Sequence, residues 1–157
     1  MSTNAASVAA TNEPWRERAR YFNPTEAFSQ VLSPVPSIAF TGQRDYAFDA
    51  ATPTSLIDMD LSAILNTSYP ATTPLVMSRY LRIRAGEQLQ MDVRASMQLL
   101  VICVGSGYTR INGEAVNWGP GDVLMLPGGT LTEHGASDDA VAWLLTDEPA
   151  LNYLQLD

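Results

Sequence analysis

Asp92, Arg94 and Gln98 stand two and four residues apart, and further on Thr132, Glu133 and His134 run consecutively. On extended backbone, side chains two residues apart share a face, so positions 92, 94 and 98 aim one way, and Thr132 and His134 share a side as well. Such a set offers three chemistries. Arg94 would grip a carboxylate or phenolate oxygen. His134, helped by Asp92, would move a proton. Asp92, Glu133 and His134 would ligate a metal ion.

Composition removes most other chemistry. All nine basic residues are arginine, so a P-loop lysine, a Schiff base and a lysine general base are excluded. His134 is the single histidine and Cys103 the single cysteine. Zinc-type Cys/His spacings, an internal disulfide and any site needing two imidazoles from one chain are therefore absent. No Gly-x-Ser-x-Gly elbow exists to build a hydrolase triad. Seventeen acidic residues against nine basic ones give a net charge of −8, which argues against nucleic acid or an anionic membrane as partner. No apolar run is long enough to cross a membrane, and the first residues, Met1-Ser2-Thr3-Asn4, do not read as a signal peptide, so a cytoplasmic location is expected.

The elements that would carry these residues lie in the second half of the chain. With 157 residues, 46% of them apolar, one domain with a real core is expected. Residues 1–22 read as a flexible tail, and 23–71 as a wrapping arm with edge strands and a short helix begun by Asn23-Pro24-Thr25-Glu26. From 72 to 157, apolar and β-branched runs alternate with turn signals at the spacing of an all-β fold. Strands are predicted at Leu75–Arg84, Glu87–Val93, Gln98–Val104, Tyr108–Ile111, Glu114–Trp118, Asp122–Leu126 and Ala140–Thr146. Asn112-Gly113 predicts a two-residue hairpin, because both central positions want positive φ.

The glycine and proline spacing resembles the cupin family. Its first motif, G-x5-H-x-H-x(3,4)-E-x6-G, is matched in frame by Gly86, Asp92, Arg94, Gln98 and Gly105; its second, G-x5-P-x-G-x2-H, by Gly121, Pro127, Gly129 and Thr132. Gly105-Ser106-Gly107-Tyr108-Thr109-Arg110 and Trp118-Gly119-Pro120-Gly121-Asp122 look like one cupin domain of the gentisate and hydroxynaphthoate ring-cleaving dioxygenases. The resemblance implies a single RmlC-like jelly-roll β-barrel behind an irregular N-terminal arm, with positions 92, 94, 98 and 132 facing the lumen. It also implies a homodimer. In the family those four positions hold Fe(II) or Mn(II) through imidazoles and a carboxylate.

Here all four differ. Arginine has no lone pair to donate and does not lose its proton, so Arg94 in that seat is hostile to a divalent cation. The expectation is a chain without cofactor. Three readings of the lumen follow. Asp92 and Arg94 neutralise each other, with Gln98 and Thr132 completing an inert pseudo-site. Or Arg94, Asp92, Gln98 and Thr132 form a pocket for a carboxylate or aromatic acid, walled by Tyr80, Tyr108 and Met125. Or a displaced Fe or Mn site is built from Asp92, Glu133 and His134. A small-molecule binding or accessory protein is the expected function. The alternative is an enzyme, either an unorthodox dioxygenase or a metal-independent isomerase or cyclase using His134 and Asp92. Elsewhere, Asp58-Met59-Asp60 and Asp138-Asp139 read as solvated turns, Arg82 and Arg84 as the solvent face of an edge strand, and Cys103 as a buried small residue turned away from the lumen.

Overall fold

In the computed structural model the described residues are 34–154, all within one unit that runs Ser33–Asp157. In order they form α1 (Thr41–Phe48), β1 (Ser55–Asp58), α2 (Ser62–Leu65), β2 (Met77–Ile83), β3 (Gln88–Met91), β4 (Met97–Val104), β5 (Gly107–Ile111), β6 (Glu114–Trp118), β7 (Val123–Pro127), β8 (Thr132–Ala136), β9 (Ala140–Thr146) and α3 (Glu148–Leu154). The helix expected after Asn23 lies outside the described residues.

Every strand pair is antiparallel. One sheet has the order β1-β2-β9-β4-β7 and the other β3-β8-β5-β6. The two form a jelly roll whose sheets face each other without closing into the barrel expected from the sequence. Alternation along the strands decides what lies between them. Leu81 and Ile83 of β2, Leu100 and Ile102 of β4, Ala142 and Leu144 of β9 and Leu126 of β7 meet Met91, Trp118 and Ala136 from the opposite sheet in one buried cluster. A smaller cluster of Ala47, Ile57 and Val141, with Tyr80 against it, seats α1 on the outer face of the five-stranded sheet.

Two turns show how the backbone is steered. Asn112 and Gly113 have φ of 50° and 86°, and Ile111 pairs with Glu114 across them, which is the tight hairpin expected from the dipeptide. A Cβ on Gly113 would touch nothing within 4 Å, so Gly113→Ala tests backbone strain alone. A loss of about 1–2 kcal/mol is expected, read as a lower urea midpoint with an unchanged slope. At Gly128 the constraint is proximity: a Cβ would lie 1.6 Å from the carbonyl oxygen of Ala95, while the Gly128 amide donates to Ser96 at 3.0 Å. The turn after β7 is thereby clamped onto the 92–96 connector.

β2 is not an edge strand, because β1 pairs along it. Arg82 is accordingly buried rather than solvent-facing, and it ion-pairs with Asp139 at 2.6 Å. Desolvation makes such a buried cation tolerable only with a partner.

Candidate functional site

The largely apolar interior between the sheets also holds buried side chains with polar atoms. β4 turns Gln98 inward with Leu100 and Ile102, and β8 turns Thr132 and His134 inward with Ala136. Thr109 of β5 and Trp118 at the end of β6 complete the set. Gln98, Thr132 and His134 are all 0% exposed.

These groups form a directed chain of hydrogen bonds. Trp118 Nε1 donates to Thr109 Oγ1 at 3.1 Å, Thr109 Oγ1 lies 2.9 Å from His134 Nδ1, His134 Nε2 lies 3.1 Å from Thr132 Oγ1, and Thr132 Oγ1 donates to the Met91 carbonyl at 3.3 Å. One end is an indole N–H, which only donates; the other is a carbonyl, which only accepts. A single arrangement uses every proton between them. Thr109 donates to Nδ1, and the imidazole carries its proton on Nε2 and gives it to Thr132. The network therefore assigns the Nε2–H tautomer. Burial pushes the His134 pKa down to about 4, so the ring is neutral near pH 7.

Gln98 stands apart from this chain. Its cross-strand neighbours are Leu126 on β7 and Thr146 on β9, and neither its amide oxygen nor its amide nitrogen has a hydrogen-bond partner. Beside it, Thr146 Oγ1 accepts from Arg79 at 3.4 Å and donates to Glu148 at 2.6 Å. Arg79 is held by Asp58 at 2.8 Å and by Glu148, so this cluster carries one cation and two carboxylates.

Other residues singled out from the sequence lie elsewhere. Asp92 and Arg94 are exposed, whereas Val93 and Ala95 enter the core cluster. The expected Asp92–Arg94 pair across the lumen is thus corrected. The reason is energetic: turning Met91 and Val93 inward buries apolar surface, while turning an acid and a guanidinium inward would desolvate two charges. Tyr108 lies on the outer face of the four-stranded sheet, where its hydroxyl donates within 3.2 Å of both Gln88 and Glu133. Arg110 stacks 4.7 Å above the Tyr108 ring and ion-pairs with Glu133. Glu133 and His134 consequently occupy opposite faces of β8, which separates the displaced metal set Asp92, Glu133 and His134; the Asp92–His134 catalytic pair is separated too.

Tyr80 packs edge-on against Phe48 on the outer face of the other sheet, at 6.1 Å. Met125 is 71% exposed on β7, because Leu124 and Leu126 take the inward positions. Neither walls the interior. Cys103 does turn away from the core, but it is exposed rather than buried. It sits where β4 slips register against β9, and lines an outer groove of about 670 Å³ with Phe40, Arg44, Tyr80 and Trp143. A second cavity, of about 390 Å³, is lined by Thr109, Ile111 and Leu126 on the inner side and by Asn112, Glu114 and Val116 of the β5–β6 hairpin.

Thr109 and Trp118 are site residues that sequence reasoning passed over. The signal for Thr109 was its phase with Ile111 on β5, opposite to that of Tyr108.

Solved salicylate 1,2-dioxygenases share this fold. The salicylate 1,2-dioxygenase of Pseudaminobacter salicylatoxidans matches with a TM-score of 0.56 at 19% identity, over 68% of this chain and 29% of that one. A single-residue mutant of that enzyme matches with a TM-score of 0.62 at 16% identity, over 98% and 47%. The fold is that of a cupin. In sequence, this chain is 34% identical over 84 residues to a 5-aminosalicylate 1,2-dioxygenase of Comamonas sp., covering 53% of this chain and 22% of that protein. The chain thus spans about a fifth of the length of that curated relative. No family model matches it. Among the described residues, no helix is long and apolar enough to cross a membrane.

Proposed function

We propose that this chain is a cytoplasmic, homodimeric cupin that binds a small molecule or serves as an accessory protein, and that it does not perform metal-dependent ring cleavage. The observation that carries the proposal is the donor set between the sheets. A site for Fe(II) or Mn(II) needs several imidazoles or carboxylates converging with free lone pairs. What lies between the sheets is one imidazole held by two threonine hydroxyls, with a glutamine amide apart from them. His134 gives its Nδ1 lone pair to Thr109 and its Nε2 proton to Thr132. Among the described residues, no three of His, Cys, Asp or Glu are grouped to hold an ion. These residues do not fit the metal of the dioxygenase-type cupins. The enzyme reading through Asp92 and His134 loses support for the same geometric reason, since an exposed acid cannot orient a buried imidazole that two threonines already hold.

The test is metal analysis and oxygen uptake. Protein loaded with Fe(II) or Mn(II) and then desalted is expected to retain no stoichiometric ion. It is also expected to consume no oxygen with salicylate, gentisate or 5-aminosalicylate. One ion per chain that disappears in His134→Ala, with oxygen uptake in the parent protein, would sink the proposal.

A further inference from the structure

We infer that two copies of this chain meet through the outer face of the five-stranded sheet, about a twofold axis that lays the β7 edge of each copy over the outer groove of the other. The inference rests on the homodimer proposed above and deepens it by assigning the surface. The two outer faces of the sandwich differ in kind. That of the four-stranded sheet is polar: Gln88, Gln90, Tyr108, Arg110 and Glu133 are linked there by hydrogen bonds and an ion pair, as befits the solvated side of an antiparallel sheet. The five-stranded sheet breaks that rule. Its register sets Trp143, Val101 and Val123 in one cross-strand row and Leu145, Leu99 and Met125 in the next, and residues directly opposite share a face. Leu100 and Ile102 point into the core, so both rows point out. They span β9, β4 and β7 without a charge among them, and Val123 is 61% and Met125 71% exposed. β7 is also an edge strand. Edges that stay in water are as a rule guarded by charge, and Val123-Leu124-Met125-Leu126 offers none. Among the described residues, α1 covers the β1–β2 side of this face, through Ala47 against Ile57 and Val141, and leaves the β4–β7 side open. A contiguous apolar surface of this kind marks an interaction site.

Charge selects a second copy as the occupant. With a net charge of −8, two copies repel each other over much of their surface. Across this face they meet without setting acid against acid. A charged partner would find nothing here to pair with, because the cation of the groove, Arg44, is already held by Asp45 at 2.6 Å. Shape agrees with charge. A twofold interface is self-complementary, so a protrusion and a recess on one face serve each other. Val123 and Met125 stand out along the β7 edge. The recess is the groove of about 670 Å³, lined by Val101, Trp143 and Leu145 from the sheet and by Phe40 ahead of α1. Val101, Trp143 and Leu145 belong to the groove and to the two rows alike, so recess and protrusion form one surface. Methionine, unbranched and flexible, suits the filling of such a groove.

Sedimentation velocity on the full chain, with circular dichroism and urea midpoints to confirm folding, reads the outcome. The parent protein is expected to be a dimer at micromolar concentration. Met125→Glu places an acid on each side of the uncharged interface and should weaken the dimer by about a hundredfold or more. Met125 is largely in water within one copy, so this variant should keep its fold; Val123→Glu is the second variant. Asn117→Glu, paired with Tyr108 on the outer face of the four-stranded sheet, is the matched control and should stay dimeric. A dimer unchanged in both folded variants, or one lost equally in Asn117→Glu, overturns the assigned surface and leaves the homodimer standing. A monomeric parent overturns the surface and the homodimer together. If that monomer also binds an anilinonaphthalene probe, and Met125→Glu abolishes the binding, the face belongs to a small molecule instead. Ring cleavage is decided separately, by the retained ion and oxygen uptake.

Discussion

Arg79→Met is expected to destabilise the protein by about 2–4 kcal/mol, the loss typical of breaking a buried ion pair from one side. Arg79 is a buried residue of an internal strand, with its side chain 11% exposed. Its two acids are not equivalent. Asp58 is 46% exposed and regains water when the guanidinium is removed, so its share of the loss is small. Glu148 is 22% exposed and is left with Thr146 as its hydrogen-bond partner. One further measurement separates this mechanism from simple loss of packing. Arg79→Met with Glu148→Gln should recover part of the deficit, because the stranded charge is gone. Urea unfolding of the parent protein and the two variants at pH 7 reads the effect. A deficit that the double substitution does not reduce would assign it to packing instead.

The strands that form this fold were legible where local chemistry and tertiary pairing agree. β6 and β9 run over the residues expected from alternation, and Asn112-Gly113 turns where two positive φ angles were required. β8 is missing from the strands read by alternation, because Thr-Glu-His-Gly-Ala has little intrinsic strand preference, and only the family spacing implied extended backbone at Thr132 and His134; its form follows from pairing on both sides, with β3 and with β5. That missing strand brings two of the polar side chains to the interior. The family spacing led to the right neighbourhood, since Gln98 and Thr132 are both inside. It misplaced Asp92 and Arg94 because parity was counted through residues 92–96, which are not strand. A connector holds no pleat, so phase is lost there, and the burial of Val93 and Ala95 sets the orientation instead. The same competition explains Tyr108 against Thr109. Aromatic size suggested a pocket wall, yet Tyr108 finds Glu133, Gln88 and Arg110 on the outer face, and the smaller Thr109 is the residue that can bond both Trp118 and His134.

His134 gives the interior chain a pH signature. Its folded pKa, about 4, lies below the ordinary 6.5, with burial as the cause. Between those values the unfolded chain binds a proton that the folded protein refuses, so acid favours unfolding. The stabilisation is fully present above pH 6.5 and is lost as pH falls toward 4, at about 1.4 kcal/mol per pH unit, or about 3 kcal/mol in all. Carboxylates act in a lower window. Desolvation pulls Asp60 and Asp147 upward, but hydrogen bonds from Ala71 and Ser62 to the first and from Ser96 and Met97 to the second outweigh it. Asp139 is held down by the Ala85 amide and Arg82. Stability from these three is present above the usual carboxylate value of 3.8 and fades below it. The slope between pH 6.5 and 4.5 therefore belongs chiefly to His134. His134→Gln is expected to flatten it, whatever the substitution does to stability at pH 7. Long-range proton–nitrogen NMR should show the Nε2–H tautomer unchanged from pH 7.5 to 5. Protonation of the ring at pH 6, or an equal slope in His134→Gln, would mean that the imidazole is not locked between Thr109 and Thr132 as the directed chain requires.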